Sequence, residues 1–426
     1  MAWPLLQLPP ELLEAIATAT DGDQLLFLRL TCREMCRIVD KVFINRYFTT
    51  RRHLVTKESF QTLIDISKNP RLRRKLKTID LIVTNLASVT DTPTIRRPQK
   101  TADASLPHPM GPRPQSIWSS WCHEAEDITK DRMDVSMLSE ALSNLHDARV
   151  YPELKVSTHT HLSPTPYGFH RLVQQLDSTK RMCSRNEYVL LGRCPNDNSE
   201  TTWLLLAAIA RSRFPVKSLD LSDRRSPLHP GVMSSLMRSS RLKSVWSRLE
   251  TLSASPGCLH KSSARQIAAM CDFNRSAFSR LQELRLVFNS RCCKAEETFL
   301  HPHMLTPLVA TELKTVHLTG AVLRSQDLCG FLAQHKDSLR NVVLRHVVLG
   351  PHDKFAAVFE WMNAELSLDS LVLHWLRQGH DHMDERSGRG AEYVYNSKEE
   401  VKSGLRELAR SATFGDPPPC MAQCEQ

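Results

Sequence analysis

ELKTVHLTG, Glu312–Gly320, carries apolar residues at Leu313, Val316 and Leu318, and the same apolar-x-x-apolar-x-apolar arrangement recurs on either side of it. It stands at Val216-Leu219-Leu221, Leu249-Leu252-Ala254, Leu281-Leu284-Leu286, Leu339-Val342-Leu344 and Leu368-Leu371-Leu373. The successive starts are separated by 33, 32, 32, 26 and 29 residues. In a chain that is 41% hydrophobic, three chosen positions match by chance roughly 7% of the time, so the spacing carries the reading.

Helical patterns fill several gaps. Leu328, Phe331, Leu332 and His335 share one face before one strand, and Phe355, Val358, Phe359 and Met362 do so before the next. Strand, amphipathic helix and strand at intervals of about 30 residues resembles leucine-rich repeats, in which each unit buries its face only against its neighbours. Two earlier candidates, Leu76-Ile79-Leu81 and Leu145-Ala148-Val150, bracket a stretch with six prolines between Ser88 and Trp118. That stretch reads as a flexible insertion. A regular repeat places Asn or Cys in the turn after the strand. Asn289 fits, whereas Arg224, Ala321, Val347 and Leu376 do not, so irregular repeats are expected.

Alternation along a strand sends the residue between the last two apolar positions to the opposite face. These residues are Asp220, Ser253, Arg285, His317, Val343 and Val372, a row that turns from polar to apolar. In a leucine-rich repeat this row lies on the concave face. The segment AEYVYNSKEEVKSGLRELAR, Ala391–Arg410, reads as a short strand and then a helix with Val401, Leu405 and Leu408 on one face. It is expected to cap the last repeats and cover the valines, leaving Asp220, Arg285 and His317 as the target-binding positions, with Arg285 and His317 the cation and the titratable ring that meet an acidic or phosphorylated segment.

The N-terminus poses a different problem. LPPELLEAIATATDGDQLLFLRLTCR, Leu8–Arg33, predicts two short helices. Pro9 and Pro10 followed by Glu11 make a helix start, because proline suits the first turn and an acid there complements the dipole. Leu12, Leu13 and Ile16 then form one apolar face to about Thr18. Thr20–Asp23 is a turn with Asp23 as N-cap. Beyond it Leu25, Leu28, Cys32, Met35 and Val39 form one stripe, while Leu26, Phe27 and Leu30 cover other sides. A helix apolar on several sides needs several things to pack against, and some 40 residues are too few to be stable alone.

The order Leu8-Pro9, Glu11-Leu12-Leu13, Ile16, Leu25, Leu28-Arg29-Leu30, Cys32-Arg33, with Ile38 and Phe43 beyond, resembles an F-box. Met35 departs from the tryptophan that many F-boxes carry there. The resemblance implies docking to the Skp adaptor, and through it to a cullin, by Leu8, Pro9, Leu12, Leu13, Ile16, Leu25, Leu28, Leu30, Cys32 and Ile38. An F-box followed by an interrupted, irregular repeat array and a polar C-terminal segment is similar to the F-box proteins of filamentous fungi.

Other chemistry finds little support. The longest apolar run, WLLLAAIA at Trp203–Ala210, is too short to span a bilayer, and MAWPLLQLPP lacks a signal peptide's positive start and unbroken apolar stretch. The 12 cysteines follow no disulfide framework and suit reduced thiols in the cytoplasm or nucleus. A Gly-rich phosphate loop, a G-x-S-x-G elbow and an H-E-x-x-H are all missing, so no catalytic residue and no cofactor is expected. His159/His161, His301/His303 and His380/His382 are His-x-His pairs, and Cys292 and Cys293 lie near the second, but the spacing fits no zinc pattern and no metal is expected. The net charge is +10, with the densest run RLRRKLK at Arg71–Lys77. Without interleaved aromatics it reads as a solvated helix face, and a nucleic-acid partner is not expected.

The sequence therefore predicts an α/β fold: an F-box over 1–48, a helical connector and first repeat strand over 49–87 and a flexible insertion over 88–118. An irregular leucine-rich-repeat solenoid follows over 119–376, then a capping segment and disordered tail over 377–426. The expected function is that of a non-enzymatic substrate receptor of a cullin-type (SCF) ubiquitin ligase. The alternative is a ligase-independent scaffold for an acidic partner or nucleic acid, told apart by whether binding weakens steeply with salt.

Overall fold

The computed structural model describes residues 7–83, 132–158, 199–222, 242–255, 278–288, 312–350, 353–378 and 392–410. The insertion expected at Ser88–Trp118, the His-x-His pairs, Cys292, Cys293, Asn289 and Arg224 lie outside these. Of the described residues, those up to Lys155 together with Arg211–Phe214 form one compact unit, and Val156–Thr158, 199–210 and those from Pro215 onward form a second. The protein is a mixed α/β molecule whose sheet pairing is mostly parallel.

The first unit opens with three helices, α1 (Pro10–Ala19), α2 (Gly22–Thr31) and α3 (Arg33–Phe48). Pro10 occupies the first turn of α1, as the sequence predicts, and the Pro9 carbonyl accepts from the N–H groups of Leu12 and Leu13. The single stripe from Leu25 to Val39 is in fact two helices. Cys32 adopts extended backbone (φ −160°, ψ 166°), ends α2 and caps α3 by accepting from the Met35 N–H through Sγ. Turning the chain at Cys32 lets α2 and α3 fold back on each other, so that Leu13, Ala17, Leu25, Met35, Val39 and Val42 close one small core. Gly22 sits close beside the end of the Tyr47 side chain. The Tyr47 hydroxyl donates to the Gly22 carbonyl at 2.7 Å, and a Cβ would stand 2.8 Å from that hydroxyl oxygen.

Strand β1 (Thr50–Leu54) follows and pairs in parallel with β2 (Thr78–Val83). Their register sets Arg52 beside Asp80, a buried ion pair at 3.1 Å. Helix α4 (Lys57–Lys68), capped by the Thr56 hydroxyl, packs on α6 (Met133–Asp147), and α5 (Pro70–Arg73) lies between α4 and β2 in sequence. The strand expected from Leu145-Ala148-Val150 is not formed. Leu138, Leu142 and Leu145 continue one buried helical face of α6, and the strand is β3 (Glu153–Thr158), carried by Leu154 and Val156. The triplet in the correct frame is Tyr151-Leu154-Val156.

In the second unit, after α7 (Ser199–Ser212), come β4 (Ser218–Leu221), α8 (Lys243–Trp246), β5 (Thr251–Ala254), β6 (Glu283–Val287) and β7 (Thr315–Thr319). Next are β8 (Val322–Leu323), α9 (Ser325–Ala333), β9 (Asn341–Arg345), β10 (Val348–Leu349), α10 (Phe355–Glu365) and β11 (Ser370–His374). The described chain ends with β12 (Arg377–Gln378), β13 (Glu392–Tyr395) and α11 (Lys398–Arg410). Strands β4, β5, β6, β7, β9 and β11 pair in parallel in that order, and β13 adds antiparallel to β11. Their register aligns the apolar positions, Leu219, Leu252, Leu284, Val316, Val342 and Leu371 in one row and Leu221, Ala254, Leu286, Leu318, Leu344 and Leu373 in the next. Both rows are buried, and the apolar faces of α9 and α10 are buried too. A second, three-stranded parallel sheet joins β12, β10 and β8. At its entry Gly320, His346 and Trp375 all have positive φ (70°, 53° and 54°). A Cβ at Gly320 would meet the Phe288 carbonyl oxygen at 2.4 Å, so that position takes only glycine.

Candidate docking surface

The three-helix core consumes some of the apolar residues expected to face a partner and leaves others uncovered. Leu13 and Leu25 are buried in it, and Leu28 and Ile38 pack partly against it. Leu8, Pro9, Leu12, Ile16, Leu30 and Cys32 are exposed. Two residues outside the expected set join them, Leu26 and Phe27. Leu12 is 51% exposed, Phe27 70% and Leu30 81%, which is unusual for side chains of this size. Leu12 and Ile16 stand one turn apart along α1, and Leu26 and Leu30 do so along α2. The sequence signal for Leu26 and Phe27 was present, because the packed side of α2 needs only Leu25 and Leu28. What it lacked was the position of α3.

Polar contacts hold α1 and α2 against α3 and so fix where these side chains stand. Arg46 donates to the carbonyls of Thr18 and Thr20, and Lys41 pairs with Glu14 at 2.8 Å. Arg29 lies 4.1 Å from the centre of the Phe43 ring and pairs with Asp40 at 3.1 Å. Asp40 also takes Arg71, which ties α5 to α3. The surface is therefore presented on a braced scaffold, which limits the ordering entropy lost when a partner binds.

The second expected site lies on the sheet of the other unit. Register places Asp220, Ser253, Arg285, His317, Val343 and Val372 in one row, and Val394 of β13 extends it. Arg285 bonds Glu283 at 2.6 Å, and the His317 ring stands 3.5 Å from the same carboxylate. Burial, and then the Arg285 charge, pull the His317 pKa below its ordinary value, so the ring is neutral at pH 7. Asp220 accepts from the Ser222 N–H at 2.9 Å.

The capping segment forms its strand and helix as expected, with Val401, Leu405 and Leu408 buried. It does not cover the valines in the way expected: β13 extends the sheet edge and adds Val394, itself exposed, to the row, while α11 packs on α10. Antiparallel pairing satisfies the edge of β11 first, and the strand-to-helix turn then carries the chain towards α10. No protein-family model matches this sequence, and no curated protein matches it either.

Proposed function

We propose that this chain is a substrate-receptor subunit of a cullin-type ubiquitin ligase, with no bond chemistry of its own. Helices α1–α3 act as an F-box that docks the Skp adaptor, and the parallel strand array acts as an irregular leucine-rich-repeat solenoid that holds a target protein. Holding both raises the effective concentration of target lysines at the charged ubiquitin enzyme. The observation that carries the reading is the exposure of Leu12, Ile16, Leu26, Phe27 and Leu30 on helices whose own core is already closed. Covering a side chain of this size stabilises a complex by about 1.5–3 kcal/mol, so a few such anchors suffice for stable docking. A cytoplasmic or nuclear site of action accompanies this reading. Among the described residues no helix is long and apolar enough to cross a membrane.

The test is co-purification from cells. Phe27→Asp with Leu30→Asp is expected to abolish recovery of the Skp adaptor and the cullin while leaving thermal stability unchanged, since both side chains already face water. Unchanged recovery of both subunits by the double variant rejects the docking surface.

A further inference from the structure

Three turns of the first unit, distant in sequence, bring cations together where its strands begin. The Glu153 N–H donates to the Lys77 carbonyl at 2.8 Å, so the turn before β3 lies beside the turn before β2. Tyr151 stands 5.8 Å from Phe214, ring centre to ring centre, which brings in Arg211–Phe214. Arg73 ends α5 and Arg74, Lys75 and Lys77 follow it, Arg149 follows α6, and Arg211 and Arg213 lie in the last turn of α7 and just past it. All but the half-buried Arg73 are exposed.

Among the described residues none of these cations meets a carboxylate. Elsewhere in the same unit several cations do: Arg37 pairs with Glu34, Lys41 with Glu14, Arg52 with Asp80, Lys68 with Glu140 and Arg71 with Asp40. The acids of these turns are Asp147 and Glu153, too few to neutralise the array. Arg149 and Arg213 also take the left-handed conformation just past the ends of α6 and α7, with φ of 57° and 54°. Glycine is the usual residue there, and a side chain costs about 1–2 kcal/mol. The helix dipoles offset part of that cost. They do not account for Arg74–Lys77, which follow the single helical turn of α5.

We propose that this edge binds an acidic segment of a protein partner, a run of Asp and Glu carboxylates lying across the three turns. Several unneutralised cations on one surface raise the local potential and steer such a segment to it. A single strand of nucleic acid is the weaker fit, because it uses a series of aromatic faces for stacking. Among the described residues of this edge the exposed ring, Tyr151, already packs tilted against His146 and Phe214, and Phe214 is buried.

The experiment uses the full-length chain and a fluorescent decaglutamate peptide, followed by anisotropy across a salt series. Binding is expected to weaken steeply with salt and to fall at least about tenfold in Arg74→Glu/Lys75→Glu/Lys77→Glu. A comparable fall is expected in Arg149→Glu/Arg213→Glu, and none in Lys57→Glu, an exposed cation on α4. Glutamine at the same positions gives a smaller drop in the same order and guards against misfolding of the reversed variants. No peptide binding at low salt, or equal loss in the Lys57 variant, overturns the proposal. Tighter binding of a twelve-residue oligothymidylate that is lost in the same variants also overturns it and assigns the edge to nucleic acid.

Discussion

At the scale of single residues, His53 is a group whose chemistry burial alters strongly. Its Nδ1 lies 3.0 Å from the Ser59 hydroxyl and 3.1 Å from the Ser59 carbonyl oxygen. Burial, and secondarily the Arg51 charge, lower its pKa to about 3. The unfolded chain protonates this histidine near pH 6.5 while the folded one does not. Stability is therefore complete above the unfolded pKa and is lost as pH falls from there towards 3. By pH 5 the loss amounts to about 2 kcal/mol. Urea unfolding of the full chain at pH 7 and pH 5 measures it, and His53→Asn is expected to flatten the difference. A slope unchanged in that variant would remove His53 as its source. Nothing in TRRHL signals this, because two adjacent arginines mask the alternation of β1.

At the scale of elements, periodicity located α1, α9, α10 and α11, ran α2 and α3 together, and gave faces only in part. Leu12, Leu13 and Ile16 form one face on a helical wheel, yet Leu13 is buried while Leu12 and Ile16 are exposed. The division follows from α3, which meets only one side of α1. Leu13→Asp is thus expected to unfold the three-helix module, since it places an unpaired charge in a closed core, whereas Phe27→Asp leaves its circular dichroism unchanged. Equal damage from both would contradict the burial pattern. Helix α11 was legible in full, because Val401, Leu405 and Leu408 repeat at helical spacing and all are buried. Leu405→Ala removes a fully packed side chain and should cost about 2–5 kcal/mol, measurable as faster hydrogen exchange through β13 and α11.

At the scale of the whole molecule, the sheet of the second unit ends in β13, whose pairing covers the edge of β11. An uncovered parallel edge invites pairing with another chain. Ending the protein before Glu392 should lower its thermal midpoint and produce self-association in sedimentation experiments. A monomeric truncated protein of unchanged midpoint would show that β13 is dispensable.

Periodicity and spacing by themselves determined the strand array. Each strand buries two apolar positions at fixed separation, and that requirement is written locally in every unit from Val216 to Leu373. The helix start at Pro9–Pro10 and the C-terminal strand and helix were local for the same reason. Only the tertiary structure decided the rest, since each such feature depends on what comes from elsewhere in the chain. The break at Cys32 is decided by α2 folding back on α3, and the frame of β3 by the buried face of α6. Phe27 and Leu30 remain exposed because nothing in this chain's three-helix core reaches them. The basic edge exists because backbone pairing sets Lys77 beside Glu153 and ring packing sets Tyr151 against Phe214, contacts between residues too far apart in sequence for any local pattern to record.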